Sequence, residues 1–302
     1  MSTHTVKTIK KKSWRERHAS ELSQLREFFF AVKKSKLALA GLVIVLSLVF
    51  IALTAPLIAP YDPLAMNLGN RLQAPSGEHL MGTDELGRDI LSRILYGTGL
   101  ALKIMIIVLL IDLPLGVFLG IVAGYFGGWI DEVIMRLADI FMAFPRLILA
   151  MAIGAALGPS LTNTMIAIAV TLWPSYARLA RGETLSIKER TFIEAEKSIG
   201  TPKWKILSSY ILPLCSSTTI VRATLDMGNV IRIAAGMSFI GLGAQAPMPE
   251  WGLMVSTGRD FLVNQWWVPT FPGLAILITV FGFNLLGDGI RDIADPHLRR
   301  GD

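Results

Sequence analysis

Residues 37–59 are 23 consecutive positions without a charge. Wound as an α-helix they would reach about 34 Å, enough to cross a hydrocarbon core of about 30 Å. Lipid offers no hydrogen-bond partners, so a spanning segment must satisfy its backbone internally, as a helix does. Ten Lys/Arg precede the run, against only Glu16, Glu21 and Glu27, and Ala59-Pro60-Tyr61-Asp62-Pro63 closes it with helix-stopping residues. A cleaved signal peptide fits poorly, because its apolar part is about 7–15 residues with a shorter basic leader and a small-residue cleavage site. Charged residues are 17% of the chain, against about 25% in soluble domains. That scarcity argues against both a soluble domain and a disordered chain. Cys215 is the only cysteine and the four histidines are scattered, which excludes a disulfide scaffold and leaves no metal-ligand cluster.

Five further spans are expected: 102–125, 133–157, 161–177, 206–235 and 271–286. Pro114, Pro145, Trp173-Pro174 and Pro213 are read as breaks in them. Six spans place both ends on one side. The basic residues choose the cytoplasm for residues 1–36, for the 178–205 segment with its seven Lys/Arg, and for the C-terminal tail. Segment 60–100 has three Arg against five acids and faces outward. Trp266 and Trp267 are expected as outer aromatic anchors. The net charge of +6 therefore reads as membrane orientation, and no nucleic-acid partner is expected. The organisation is a basic segment 1–36, a first span 37–59, an extracytoplasmic loop 60–100, a five-helix core 101–290 containing loop 183–205, and a tail 291–302.

Several spans carry charge. Ionisable residues in lipid are costly and usually face a bundle interior or an aqueous path. Arg222 and Asp226 are four apart, on one helical face that Asn229 continues, and either neutralise each other or line a passage. Arg232 reads as lying on another face. Asp112 sits beside Pro114 and has three readings: it accepts freed backbone N–H groups, pairs with a cation such as Arg222, or faces water. In the outer loop, Asp84, Arg88, Asp89 and Arg93 are expected to pair locally, Asp89 and Arg93 having the spacing of a helical ion pair.

Residues 186–213 are too patterned for a simple connection. Ser186…Glu189 and Thr191…Glu194 fit capping boxes, Gly200 fits a C-terminal stop, and Thr201-Pro202 fits an N-cap followed by proline. A short amphipathic helix here is either an interfacial helix on anionic lipid or a knob for a groove on a cytoplasmic partner.

Glu194-Ala195-Glu196, Gly200 and Leu212-Pro213 resemble the EAA–G–LP signature of the permease subunits of bacterial ABC importers, with Glu196 where that family usually has Ala. Residues 80–93, LMGTDELGRDILSR, resemble the GTDxxGRDxxSR segment of the dipeptide/oligopeptide/nickel permeases. Residues 124–128, 239–243, 249–252 and 284–296 are similar to further segments of that family. The resemblance implies an all-α integral membrane permease of six transmembrane helices with a cytoplasmic coupling helix, in the bacterial inner membrane. It implies that Glu194, Ala195, Glu196 and Gly200 dock into an ATP-binding subunit. The implied partners are a related permease completing a heterodimer, two cytoplasmic ATP-binding subunits and an extracytoplasmic substrate-binding protein. Short peptides are the expected cargo, with nickel or another small solute as the alternative.

No G-x-x-x-x-G-K-[S/T] phosphate loop occurs, so ATP hydrolysis is expected on separate subunits and no cofactor is expected. No Ser or Thr has a nucleophile arrangement with His or Cys, and no intramembrane catalytic pair can be identified. An ion-coupled secondary transporter using Asp112 or Asp226 is the alternative from another class. The passage is expected at Asp112, Arg222, Asp226 and Asn229.

Overall fold

A computed structural model describes residues 35–294. The basic segment before residue 35 and the tail after 294 lie outside the described residues. Within them the chain is helical, without a named strand. Ser35 caps α1 (Lys36–Ile58) by accepting the Ala38 N–H, so the uncharged run and the helix nearly coincide. Phe50, Leu53 and Leu57 stay exposed on it, at 63%, 76% and 86%, as a lipid-facing surface requires.

α2 (Ile90–Phe126) is the longest element, at 37 residues. It begins twelve residues before the expected span because Asp89 caps it, accepting the Ser92 N–H at 2.8 Å. It also passes through Pro114 unbroken. The expected third span is two helices, α3 (Gly128–Met142) and α4 (Arg146–Leu157), bent by 93° where Pro145 intervenes. α5 (Leu161–Lys188) continues through Trp173-Pro174, against the expected break. α6 (Thr191–Ser198) and the one-turn α7 (Lys203–Ile206) lead through a π-turn, Leu207–Ile211, into α8 (Leu212–Phe239). Pro213 therefore falls in the first turn of α8, where a missing N–H costs little. α9 (Trp251–Gly258) and α10 (Trp267–Ala294) complete the order.

α1, α2 and α10 are long and apolar enough to cross a membrane, and the bent α3–α4 pair makes a fourth if it counts as one span. α5 and α8, 28 residues each, are equally long but carry more polar residues. The tightest packing joins α2 to α5. A Cβ placed on Gly116, Gly120 or Gly124 would come within 2.6, 2.2 and 2.9 Å of the carbonyl oxygens of Trp173, Ala177 and Arg181. Small residues at this four-residue spacing let two backbones meet where lipid supplies no hydrophobic drive between helices. Val108, Ile168, Leu172, Val230 and Met237 fill the centre of the bundle.

The two ends of the bundle differ. At the Asp89 end of α2, residues 60–89 fold over α9 and the start of α10. Trp251 Nε1 donates to the Ile94 carbonyl at 3.2 Å. Trp267 is buried beneath this cap while Trp266 stays half-exposed, so only Trp266 fits the expected anchor. The expected Asp89–Arg93 pair does not form. Asp89 binds His79 Nδ1 at 2.9 Å and the Ser92 hydroxyl at 2.7 Å. The local pairing centres on Asp84, which takes Arg88 at 2.7 Å and Arg93 at 3.6 Å, and Arg93 also donates to the carbonyls of Pro63 and Met248. At the Phe126 end, α6, α7 and the π-turn gather; in a 37-residue helix that is about 55 Å away.

Candidate coupling helix and passage

Only one side chain of α6 is buried. Ile193 is fully buried beside Ile187, Ile206 and Ile211, so the short helix is plugged between the end of α5 and the start of α8. Phe192, Glu194, Ala195 and Ile199 remain exposed, Ile199 at 77%. The helix ends as the glycine predicts. Gly200 has φ +79°, its N–H donates to Lys197 O at 3.1 Å, and the Thr201 N–H donates to Glu196 O at 3.0 Å. That pair of bonds is the Schellman pattern, which needs a residue at ease in the left-handed region.

The expected starts differ. Ser186 lies inside the last turn of α5, and the N-cap of α6 is Arg190, without a side-chain cap bond. Neither capping box forms. Pro202, not Thr201, caps α7, because the Thr201 hydroxyl is engaged by Glu196 at 2.5 Å.

Glu196, the residue that departs from the family signature, turns its carboxylate inward. Besides Thr201 it accepts the Tyr210 hydroxyl at 2.6 Å. These two bonds, Thr201 first, hold its carboxyl below the usual range. The bridge is therefore ionised at neutral pH and is lost only as pH falls through that lowered value. The same loop grips the end of α2. Lys188 Nζ donates to Gly124 O at 3.0 Å. Lys197 and Lys203 stand over the rings of Tyr125 and Phe126 at 5.9 and 5.6 Å, within cation–π range. Sequence reasoning missed Tyr210 and this grip. The only local signal was the aromatic pair in Gly124-Tyr125-Phe126-Gly127-Gly128.

In the bundle, Arg222 Nε donates to Asp226 Oδ2 at 2.8 Å. Asp226 is buried, and the Arg222 side chain is 40% exposed. Asn229 accepts from the exposed Arg232, three residues on, at 2.5 Å. Asp112 is fully buried, and neither carboxylate oxygen has a hydrogen-bond partner. It does not pair with Arg222, and it does not accept the N–H groups freed near Pro114. The buried Tyr176 hydroxyl is also unpartnered. Remaining charges tie α3 to α5: Asp131 takes Arg181 through two bonds of 2.5 and 2.6 Å, and Asp139 takes Arg178. Among the described residues no group of His, Cys, Asp and Glu is arranged to hold a metal.

The chain is similar to known membrane transport proteins. Residues 116–300 match the profile of the binding-protein-dependent transport system inner membrane component. Residues 23–75 match the N-terminal TM domain of oligopeptide transport permease C. The chain is 47% identical to the dipeptide transport system permease protein of Alkalihalophilus pseudofirmus, over 92% of this chain and 91% of the relative. It is 45% identical to the probable D,D-dipeptide transport system permease protein of Escherichia coli K12, over 88% and 89%. It is 44% identical to the glutathione transport system permease protein of Pectobacterium atrosepticum, over 91% of each.

Proposed function

The chain belongs to the family of binding-protein-dependent transport inner membrane components, and from that premise we propose that it forms half of the translocation pathway for short peptides in an ATP-driven importer. It is a multi-pass membrane permease subunit, not an enzyme, and works with ATP-binding and substrate-binding partners. The single observation carrying the mechanism is the position of α6, exposed on one side and plugged by Ile193 between α5 and α8. A push on such a helix must move the start of α8, which carries Arg222, Asp226 and Asn229.

In this reading α1, α2, the α3–α4 pair, α5, α8 and α10 are six spans. Residues 183–205 and both ends face the cytoplasm, and the 60–89 cap, the part of the expected 60–100 loop that precedes α2, faces out toward the binding protein. Glu194, Ala195, Glu196 and Gly200 form the coupling element against one of two ATP-binding subunits, and a related permease completes a heterodimer. Asp112, Arg222, Asp226 and Asn229 belong to the passage or its gate. The cargo is inferred from relatives named for dipeptide, D,D-dipeptide and glutathione transport, all short peptides. A second reading, ion-coupled transport, rests on the unpartnered carboxylate of Asp112.

The test is uptake of a radiolabelled dipeptide by cells expressing the chain with its partner subunits, against cells lacking only this chain. Loss of uptake in the second strain is expected. Equal uptake in both would contradict the proposal, and uptake of nickel without peptide would move the cargo.

A further inference from the structure

We infer that the Glu196 carboxylate and the Tyr210 hydroxyl form a strut that makes α6, the Gly200 turn and the π-turn one moving body. The inference rests on the coupling role proposed for α6. A Schellman turn alone is a hinge: Gly200 is exposed and its Cβ position is open, with no atom within 4 Å. Force passing along the backbone through such a turn would flex it. The strut bypasses the turn. Glu196 lies in the second turn of α6, while Tyr210 lies in the π-turn that feeds α8. Its two carboxylate oxygens serve different sides of the junction, Oε2 the turn residue Thr201 and Oε1 the π-turn residue Tyr210. Bonds to an ionised acceptor are shorter and stronger than neutral ones. The Phe192 ring lies 6.3 Å from the Tyr210 ring and bounds the same contact.

The π-turn gives the strut its purpose. Such a segment is a local irregularity in an otherwise helical path, and without a cross-brace it would absorb displacement. With Tyr210 tied back to Glu196, displacement of α6 appears at Leu212 and the helix beyond. Glu196 and Tyr210 are therefore positioning residues; neither touches cargo or nucleotide. An Ala at position 196 could not make either bond, so the departure from the family signature supplies the brace.

The experiment uses the complete transporter in proteoliposomes and reads dipeptide imported per ATP hydrolysed. Tyr210→Phe keeps the ring and removes only the hydroxyl. It is expected to lower the ratio by roughly three-fold, the scale of a partly solvated hydrogen bond to a charge, with ATP hydrolysis unchanged. Glu196→Gln keeps an acceptor for Tyr210 and a donor for Thr201 and should restore most of the ratio, whereas Glu196→Ala should not. Adding Tyr210→Phe to Glu196→Ala should cause no further loss. A wild-type ratio for Tyr210→Phe would overturn the strut. Amide hydrogen exchange gives a readout independent of cargo. On adding ATP, exchange in 203–211 should change in the wild type and not in Tyr210→Phe; the same response in both overturns the strut. A wild-type complex that imports no dipeptide but shows this difference would refute the cargo and leave the strut standing.

Discussion

Gly120 of α2 and Ala177 of α5 meet backbone to backbone, so closely that a Cβ on Gly120 would stand 2.2 Å from the Ala177 carbonyl oxygen. No side chain can be shifted to make room, so even alanine must push the helices apart. Gly120→Ala should destabilise by about 2 kcal/mol, in the range of overpacked cores. Gly182, whose Cβ position is open, is the control. Gly182→Ala should be neutral or stabilising by up to about 1 kcal/mol, the helix-propensity gain. Thermal unfolding of the detergent-solubilised protein would compare them; equal midpoints would refute the close packing.

The Arg222–Asp226 pair joins a buried acid to a half-exposed base. Arg222→Ala should cost more than the double change Arg222→Ala/Asp226→Ala, because the single change leaves Asp226 buried and uncompensated. A double-mutant cycle should return about 1–2 kcal/mol, reduced from a fully buried pair by the exposure of Arg222. Additive losses would show the pair to be incidental.

Asp112 has no partner to lose. Asp112→Asn should keep uptake and leave stability within about 1 kcal/mol of the wild type, since it keeps the shape and polarity of a fully buried side chain that has no partner. An Asp112–Arg222 cycle should show no coupling. Loss of uptake in Asp112→Asn at normal expression would show that the passage needs an acid at this position, and only if wild-type uptake also collapsed with a protonophore would it favour the ion-coupled reading.

At Gly200, φ is +79°. Gly200→Val should abolish coupled uptake by straining the turn, while Gly200→Asn should retain much of it, because Asn visits that region readily. Glu194 is exposed. Glu194→Lys should therefore leave thermal unfolding unchanged and still impair uptake by weakening docking. Unimpaired uptake in both Gly200→Val and Glu194→Lys would remove α6 from the mechanism.

How legible each part was depended on how local its cause is. α1 was nearly complete in the sequence, because an uncharged run and its Ser35 cap are contiguous. The start of α2 was not, since Asp89 is engaged by His79, ten residues back. Prolines were an uneven guide to helix ends. Pro145 does separate two helices, whereas Pro114 and Pro174 sit in continuous ones. The Gly200 stop was readable because one residue type solves it. Glu196 stood out as a departure, but its purpose was hidden, since Tyr210 is brought to it only by the Gly200 turn and the π-turn together. The α3–α5 ion pairs join residues 39 to 50 apart, beyond any periodicity argument.

The most direct test of the central claim is dipeptide uptake by proteoliposomes holding the complete transporter, with ATP supplied to the ATP-binding subunits and a protonophore present. The account predicts uptake that requires ATP and the binding protein and is unaffected by the protonophore. Uptake that proceeds without ATP and collapses with the protonophore would contradict it.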